Sequence, residues 1–307
     1  MKVLLVGGNG FIGSHVQDLL LARGHSVRVL DSLPERYRLP LPGVDYRAGS
    51  SADPSVMAEA VAGVDSVVYL ASTTVPSTSN SSIPWDIESN LIPLVASLDI
   101  MNEAGVQHIV FFSSGGTVYG PAGESAVRES TPLEPICSYG VVKVASEKYL
   151  GMYRNLNDLR SLVLRPSNPY GPRQGHDGVQ GFIGTSLAKM LRNEPIEIWG
   201  DGSVVRDYLY VQDLASAVVL GVETRAAGVV NIGSGVGRSL LEVVARLEDV
   251  TGAIARVEFL PGRSFDVPHM VLAVELATEL LGWGPSTSLE DGIAAHWRWL
   301  QGVRVQG

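Results

Sequence analysis

Two stretches of the 307-residue sequence carry residue types whose spacing could do chemistry. The first is Gly7-Gly8-Asn9-Gly10-Phe11-Ile12-Gly13, which follows directly on the apolar run Lys2–Val6 and leads into a segment of helical period. A chain turning sharply from strand to helix needs residues that accept positive φ, and a diphosphate reaches a helix N-terminus only where no Cβ intrudes. Gly7 and Gly10 suit those tasks, and Gly13 lets the helix pack closely on the strand. Asp31, at the end of the second apolar run, is placed to accept hydrogen bonds from an adenosine ribose and to oppose a 2′-phosphate. The pattern therefore predicts NAD over NADP, with Arg36 and Arg38 in the next loop pulling the other way. The second stretch is Tyr139-Gly140-Val141-Val142-Lys143, which puts a phenol and an ammonium four residues apart on one face of a helix beginning near Ser138. A neighbouring cation and the positive charge of an oxidised nicotinamide would stabilise the phenolate and make the phenol a usable base.

The elements that must position these groups are legible as alternating runs. Lys2–Val6, Val27–Leu30, Val67–Leu70, Ile109–Phe112 and Leu162–Leu164 are short, apolar apart from Lys2 and Arg28, and rich in β-branched residues, as strands buried on both faces are. Between the first two, Ile12, Val16, Leu19 and Leu20 recur at helical spacing before Gly24. Strand, helix, strand repeated over some 160 residues predicts an α/β fold with a doubly wound parallel sheet of the Rossmann type. After Pro166 the texture changes to Asn168-Pro169-Tyr170-Gly171-Pro172 and Gly175-His176-Asp177-Gly178, which is loop chemistry. A smaller C-terminal lobe is expected from there, with residues 1–167 as the nucleotide domain, 207–232 returning to it, and 168–206 plus 233–307 as the second lobe. Within it, Tyr210–Glu223, Leu240–Val250 and Leu289–Leu300 read as helices and Val229–Ile232 as a strand. The Ser/Thr-rich stretch Ser72–Ser82 reads as a loop at a sheet edge.

Composition narrows the partners. Apolar residues make up 45% and charged ones 18%, which excludes disorder as a description of the whole chain. With 23 basic against 32 acidic side chains and no Lys/Arg-rich run, nucleic acid and membrane surfaces are unfavourable partners and a small molecule is expected. The single cysteine, Cys137, makes neither a disulfide nor a metal cage and reads as a small buried filler. No metal site is expected. The N-terminal apolar run is too short for a signal-peptide core, and no run approaches the ~18–20 residues of a membrane span, so a cytoplasmic location is the expectation.

Taken in order, these motifs resemble the extended short-chain dehydrogenase/reductase family in its nucleotide-sugar epimerase and dehydratase branch, and the likeness to UDP-glucose 4-epimerases covers nearly the whole chain. Its landmarks here are Gly7–Gly13, Asp31, Leu70-Ala71-Ser72, Asn90, the segment Ser113-Ser114-Gly115-Gly116-Thr117-Val118-Tyr119-Gly120, and Tyr139 with Lys143. They continue through Arg165-Pro166-Ser167-Asn168, the run from Gly200 through Arg206 to Val211, Asn231-Ile232-Gly233-Ser234-Gly235, and Arg263-Ser264-Phe265-Asp266. The resemblance implies that Gly7, Gly10, Phe11, Ile12, Gly13, Asp31 and Ser32 hold NAD, with Leu70, Ala71, Ser72, Asn90 and Pro166 along the cofactor cleft. It implies that Lys143 bonds the nicotinamide ribose and tunes Tyr139. Asn168, Arg206 and Arg263 correspond to ligands of the substrate diphosphate, and Asp266 to the acceptor for a uridine ribose. A homodimer is implied as well.

Two departures matter. The family commonly has Asp-Ile after the glycine matching Gly49, to bind adenine, whereas Ser50-Ser51 follow here. The family's catalytic Ser or Thr falls on Gly115. The dehydratases of the branch carry Asp-Glu where this chain has Gly116-Thr117, so elimination of water is disfavoured and 4-epimerisation is the implied reaction. In that reaction sugar C4 gives its hydride to NAD while Tyr139 takes the O4 proton, the 4-keto sugar rotates, and the hydride returns to its other face. A 4-ketoreductase or dehydrogenase, and a non-catalytic NAD-binding scaffold, are the alternatives. For the missing hydroxyl, Thr117 is the first candidate and Ser114, on what reads as an extended segment pointing away, the second; a bound water is a third. Equally, Gly115 and Gly116 could be there to enlarge the pocket.

Overall fold

The structure is a computed structural model describing residues 1–175, 181–262 and 267–306, with side chains described as far as residue 302. Seven strands form the main sheet: β1 (Lys2–Val6), β2 (Ser26–Asp31), β3 (Val44–Ala48), β4 (Ser66–Tyr69), β5 (His108–Phe112), β6 (Arg160–Pro166) and β10 (Gly228–Ile232). Their order is β10-β6-β5-β4-β1-β2-β3, every pairing is parallel, and the direction of winding reverses between β4 and β1. A crevice opens at the carboxyl ends of the strands at such a reversal, and the glycine-rich turn leaves β1 into it.

Successive residues of β1 feed opposite faces, and each face has its own core. Val3 and Leu5 pack with Val16 and Leu20 of α1 (Phe11–Ala22) and with Leu214 and Val218 of a later helix, while Leu4 and Val6 pack with Met57, Leu94, Leu98 and Leu150 on the other side. Those second partners come from α2 (Pro54–Val61), α5 (Ile92–Glu103) and α6 (Ser138–Asn157). Two short helices, α3 (Pro76–Ser79) and α4 (Ile83–Asp86), and a π-turn over Ile87–Leu91 lie between β4 and α5. The stretch 72–82 therefore leaves a strand in the middle of the sheet, not at its edge as its composition suggested. The edge is β3, whose sequence Val-Asp-Tyr-Arg-Ala is half-exposed and lacks the apolar run that marks its neighbours.

The smaller lobe has its own core, built from Tyr170, Ile183, Ile198, Tyr208, Val243 and Ile293 among others. Its strands are β7 (Asn168–Tyr170), β9 (Val205–Tyr210), β11 (Gly237–Ser239) and β13 (His269–Met270), with β9 in the middle, and a separate pair of β8 (Ile196–Trp199) and β12 (Val257–Leu260). Helices α7 (Phe182–Arg192), α9 (Leu240–Thr251), α10 (Glu275–Leu281) and α11 (Leu289–Gln306) complete the chain with α8 (Val211–Thr224), which packs on α1. Because β9 pairs within the smaller sheet, the chain rejoins the main sheet at α8, four residues later than the sequence reading placed its return.

The loop after β7 is braced against α1. Arg173 donates to Asp18 Oδ2 at 2.7 Å and to the Ser14 carbonyl at 3.1 Å, and His15 Nε2 meets the Pro172 carbonyl at 2.8 Å. Burial above all brings His15 down to about 4, so the brace works through a neutral imidazole. No described helix is long and apolar enough to cross a membrane.

Candidate active site

At Gly7 the backbone takes φ +78°, and an added Cβ would stand 2.8 Å from the Cα and N of Ala71. Glycine is thus required there twice over, by conformation and by the close approach of the Leu70–Ser72 segment. Gly13 is packed against the Gly8 backbone. Gly10 differs: a Cβ there would meet nothing nearer than the Gly7 carbonyl at 3.5 Å, so the space above the α1 N-terminus is open. No side chain caps that terminus and no acidic residue occupies the first turn, which leaves its N–H groups to an anion. A dinucleotide diphosphate fits this cradle.

Asp31 accepts the backbone N–H of Asn9 and of Leu33, each at 2.9 Å, so its carboxylate anchors the glycine-rich turn as well as standing at its rim. Of the two arginines that could have favoured a 2′-phosphate, Arg38 is bonded to Asp18 and to the Ser14 carbonyl, and Arg36 lies over the Tyr37 ring. The structure therefore strengthens the preference for NAD. Asp31→Ala is expected to weaken NAD binding by roughly 1.5–3 kcal/mol and to narrow its margin over NADP, measured by calorimetry with both cofactors. An unchanged affinity ratio would remove Asp31 from the ribose site. Ser32 and Ser72 are exposed beside this crevice, and Leu70 and Ala71 are half-buried in its wall. Asn90, in the π-turn, accepts from Thr73 N at 2.8 Å and donates to Thr73 Oγ1, Thr74 Oγ1 and Asp86 Oδ1, which ties the loop after β4 into place.

Tyr139 and Lys143 lie on the first turns of α6. Lys143 Nζ donates to the Phe112 carbonyl at 2.8 Å and stands 5.0 Å from the Phe111 ring centroid and 5.3 Å from that of Tyr139. Burial lowers Lys143 to about 8, against the raising fields of Asp86 and then Glu147, so it is close to the point of losing its charge. Burial, then the Cys137 and Asp86 charges, push the Tyr139 phenol well above its ordinary range. Unaided, the phenol stays protonated at neutral pH; turning it into a base requires added positive charge in the crevice, which the oxidised nicotinamide ring supplies. Cys137 is the half-buried N-cap of α6 and not a fully buried core filler.

The segment from β5 to Gly120 runs beside β6, with Ser113 N bonded to the Leu164 carbonyl and Gly115 N to the Pro166 carbonyl, both at 2.8 Å. Buried Pro166 therefore positions the segment 113–120 through its backbone. Thr117 N and Val118 N both reach back to the Ser114 carbonyl, so Ser114–Val118 is a tight turn and not the extended segment expected. The turn brings Thr117 against α6, where a Cβ on Gly140 would lie 2.8 Å from the Thr117 carbonyl. Thr117 Oγ1 is buried with no hydrogen-bond partner among the described residues, as a hydroxyl waiting for a ligand oxygen would be. Gly115 does not enlarge the pocket: a Cβ there would come within 2.5 Å of Leu272 Cδ1 and 2.9 Å of the Arg165 carbonyl. Leu272 fills the space that the missing side chain would need. Gly116 has open space around it.

Of the substrate ligands implied by resemblance, Asn168 and Arg206 lie on adjacent strands. Asn168 Nδ2 donates to the Asp207 carbonyl at 2.9 Å, and Arg206 donates to the carbonyls of Val205 and Val267. Arg263 and Asp266 lie outside the described residues. The adenine-side departure leaves Ser50 in a local turn with Ala52 N and Ser51 bonded to the Tyr69 hydroxyl.

Three groups escaped the sequence reading. Asp86 is wholly buried beside the start of α6, and Glu147 and Arg165 form a buried ion pair. Asp207, also wholly buried, accepts from Ser234 N and Oγ and from Gly235 N, which fixes the loop after β10 to β9. The only signal for the first was Asp86 and Asn90 standing four residues apart, one helical turn, in a stretch that otherwise reads as loop. Among the described residues no cluster of His, Cys, Asp and Glu could hold a metal ion.

A switch-point crevice with a glycine-rich turn, a carboxylate at its rim and a Tyr–Lys pair across it defines a dinucleotide-dependent enzyme of the extended short-chain dehydrogenase/reductase type. The sequence pattern of the NAD dependent epimerase/dehydratase family matches residues 3–233, and the chain belongs to that family. It is 35% identical over 305 residues to the UDP-glucose 4-epimerase of Mycolicibacterium smegmatis, covering 96% of each chain. Its fold superposes with a TM-score of 0.94 on a UDP-glucose 4-epimerase from Thermotoga maritima solved with UDP-glucose, at 32% identity and covering 99% of this chain and 100% of that one. A second, from Thermus thermophilus and in complex with NAD, gives 0.92 at 32% identity, covering 98% and 99%. NAD is the cofactor of the family.

Proposed function

We propose that the protein epimerises a nucleotide-diphosphate hexose at C4, with a UDP-hexose as substrate, through a transient 4-keto sugar. The observation that carries this reading is the pairing of Tyr139 and Lys143 with the unpartnered hydroxyl of Thr117, in a site whose 116–117 positions hold no acid–base pair for dehydration. NAD, held by the glycine-rich turn and Asp31, would supply the acceptor and donor for the C4 hydride. Tyr139 Oη takes the O4 proton and returns it, Lys143 holds the cofactor ribose and lends its charge to the phenolate, and Thr117 Oγ1 donates to O4. Asn168 and Arg206, with Arg263, bind the diphosphate, and Asp266 the ribose of the base. Arginines suit that role in a chain of net charge −9 because each offers charge-assisted bonds to phosphate oxygens. Residues 1–167 with the 211–232 return form the NAD-binding unit in this reading, and 168–210 with 233–307 the sugar-nucleotide lobe.

The test is to incubate the purified protein with UDP- and dTDP-hexoses and look for C4-inverted product without consumption of added cofactor. Turnover that needs added reduced cofactor would assign a 4-ketoreductase instead, and no turnover with NAD bound would assign a scaffold. Thr117→Val keeps the side-chain shape and removes the hydroxyl, and is expected to lower kcat by about 10²-fold or more with folding intact. Gly115→Ser alone is expected to destabilise by about 1–3 kcal/mol through its clash with Leu272 and the Arg165 carbonyl, and not to rescue the rate. Normal turnover by Thr117→Val would leave a bound water as the donor.

A homodimer is supported by α6, where Val141, Tyr149, Met152 and Leu156 form an exposed apolar stripe at helical spacing, Leu156 being 71% exposed, with Ile92 exposed at the start of neighbouring α5. Light scattering at the mass of a single chain would remove the dimer.

A further inference from the structure

We propose that Asp86 is a positioning residue for the Tyr139–Lys143 pair: its carboxylate clamps the first turn of α6 to the cofactor-side loop, and its buried charge holds Lys143 as the cation of the site. The inference rests on the role given above to Lys143. Asp86 ends α4 at 0% exposure, immediately before the π-turn, a helix irregularity often found at functional sites. Its Oδ2 accepts Ser138 Oγ at 2.6 Å, and Ser138 is the residue before Tyr139. Its Oδ1 accepts Thr74 Oγ1 at 2.5 Å and Asn90 Nδ2 at 2.9 Å, both from the segments that line the cofactor crevice. Asn80 completes the junction by accepting Ser138 N at 2.9 Å. One side chain thus joins three segments that must keep a fixed spacing for the phenol, the ammonium and a nicotinamide to meet.

All three donors to Asp86 are neutral, and among the described residues no Lys, Arg or His nitrogen makes an ion pair with it. An ionised carboxylate so buried is costly unless a counter-charge stands nearby. Lys143 feels that charge across the site, and Asp86 is the largest influence opposing the burial that strips Lys143 of its proton. The other groups facing Lys143 are Tyr139 and Glu147 on its own helix, while β5 contributes only the Phe111 ring and the Phe112 carbonyl. Glu147 is also bound to Arg165 of β6, and its influence on Lys143 is the smaller of the two. Asp86 is thus the main carboxylate sustaining Lys143.

Asp86→Asn separates charge from geometry, because the Ser138 hydroxyl can turn to accept from the new amide while the remaining oxygen still accepts from Thr74 and Asn90. The sequence holds four lysines, Lys2, Lys143, Lys148 and Lys189, so the Lys143 ammonium can be followed by nitrogen NMR in labelled full-length protein. The expected result is a Lys143 titration midpoint about one pH unit lower in Asp86→Asn, with the alkaline fall of NAD affinity displaced by the same amount. Neither readout depends on the sugar reaction, so failure of the epimerase reading would show separately, as absent turnover with both shifts present. Ser138→Ala, which loosens the clamp and keeps the charge, is expected to reduce turnover with the Lys143 midpoint unmoved. Should Asp86→Asn fail to fold, Asp86→Ser, which leaves room for a bridging water, carries the same comparison. A Lys143 midpoint and NAD–pH profile matching the unsubstituted protein would overturn the proposal and leave Asp86 as a loop cap.

Discussion

Tyr139→Phe is expected to leave the fold and NAD binding intact and to lower sugar turnover by at least ~10²-fold, since in the proposed reaction only the oxygen that exchanges the O4 proton is removed. The structure makes this a clean deletion. Among the described residues no hydrogen bond from the phenol braces the surroundings, whereas α6 is held at its start by Ser138 and Asn80 and at Lys143 by the Phe112 carbonyl. Lys143 stays under the same fields of Asp86 and Glu147, so cofactor affinity measured by calorimetry should match the parent protein. The pH profile supplies a second check. The active state needs Lys143 charged, and burial lowers that group to about 8, so the parent activity is expected to fall as pH rises through that region. Turnover close to that of the parent in Tyr139→Phe would mean that another group carries the proton, with Thr117 the first to examine.

The largest expected loss of stability follows from Glu147→Ala. Arg165 Nε and Nη2 bond the two carboxylate oxygens of Glu147 at 2.9 and 2.5 Å, and the side chains are 4% and 5% exposed. Burial opposes the guanidinium charge, and the bonds to Glu147 more than offset it. Ser113 Oγ also donates to Glu147, while Arg165 Nη1 continues to the Tyr119 hydroxyl at 2.8 Å, which donates to Asn231 Oδ1 at 2.6 Å. Removing the carboxylate strands a buried cation and orphans Ser113, and breaking a buried pair from one side costs about 3–5 kcal/mol. A shift of that size in the urea transition is expected, with activity falling too because Glu147 lies one turn beyond Lys143. Replacing both partners, as in Glu147→Leu with Arg165→Met, should recover much of the stability, since no charge is then left unpaired. A midpoint within ~1 kcal/mol of the parent for Glu147→Ala would show that the pair does not hold α6 to β6.

Much of the site was legible because it is written in short spacings. The glycine-rich turn needs only the strand before it and the helix after it, and Tyr139 with Lys143 needs only one helical turn. The apolar runs matched β1, β2, β4, β5 and β6 to within two residues at each end. Edge strand β3 was missed since a strand solvated on one side and at its edge carries mixed residues. Ser114 was misread because a turn and an extended segment differ in backbone torsions that Ser-Ser-Gly-Gly leaves open.

The sequence by itself determined the strand-forming runs, the glycine-rich turn and the one-turn spacing of Tyr139 and Lys143, since each depends on residues within a few positions of one another. Only the tertiary structure decided what surrounds them. Asp86 meets Ser138 across 52 residues, Arg165 meets Glu147 from a different element, and Leu272 fills the space beside Gly115 from the far end of the chain. Burial turned these encounters into chemistry by pushing Tyr139 up, pulling Lys143 down and leaving Thr117 Oγ1 without a partner. No local spacing encodes them, because a charge or a hydroxyl acquires its strength from the water removed around it, and that removal is a property of packed elements.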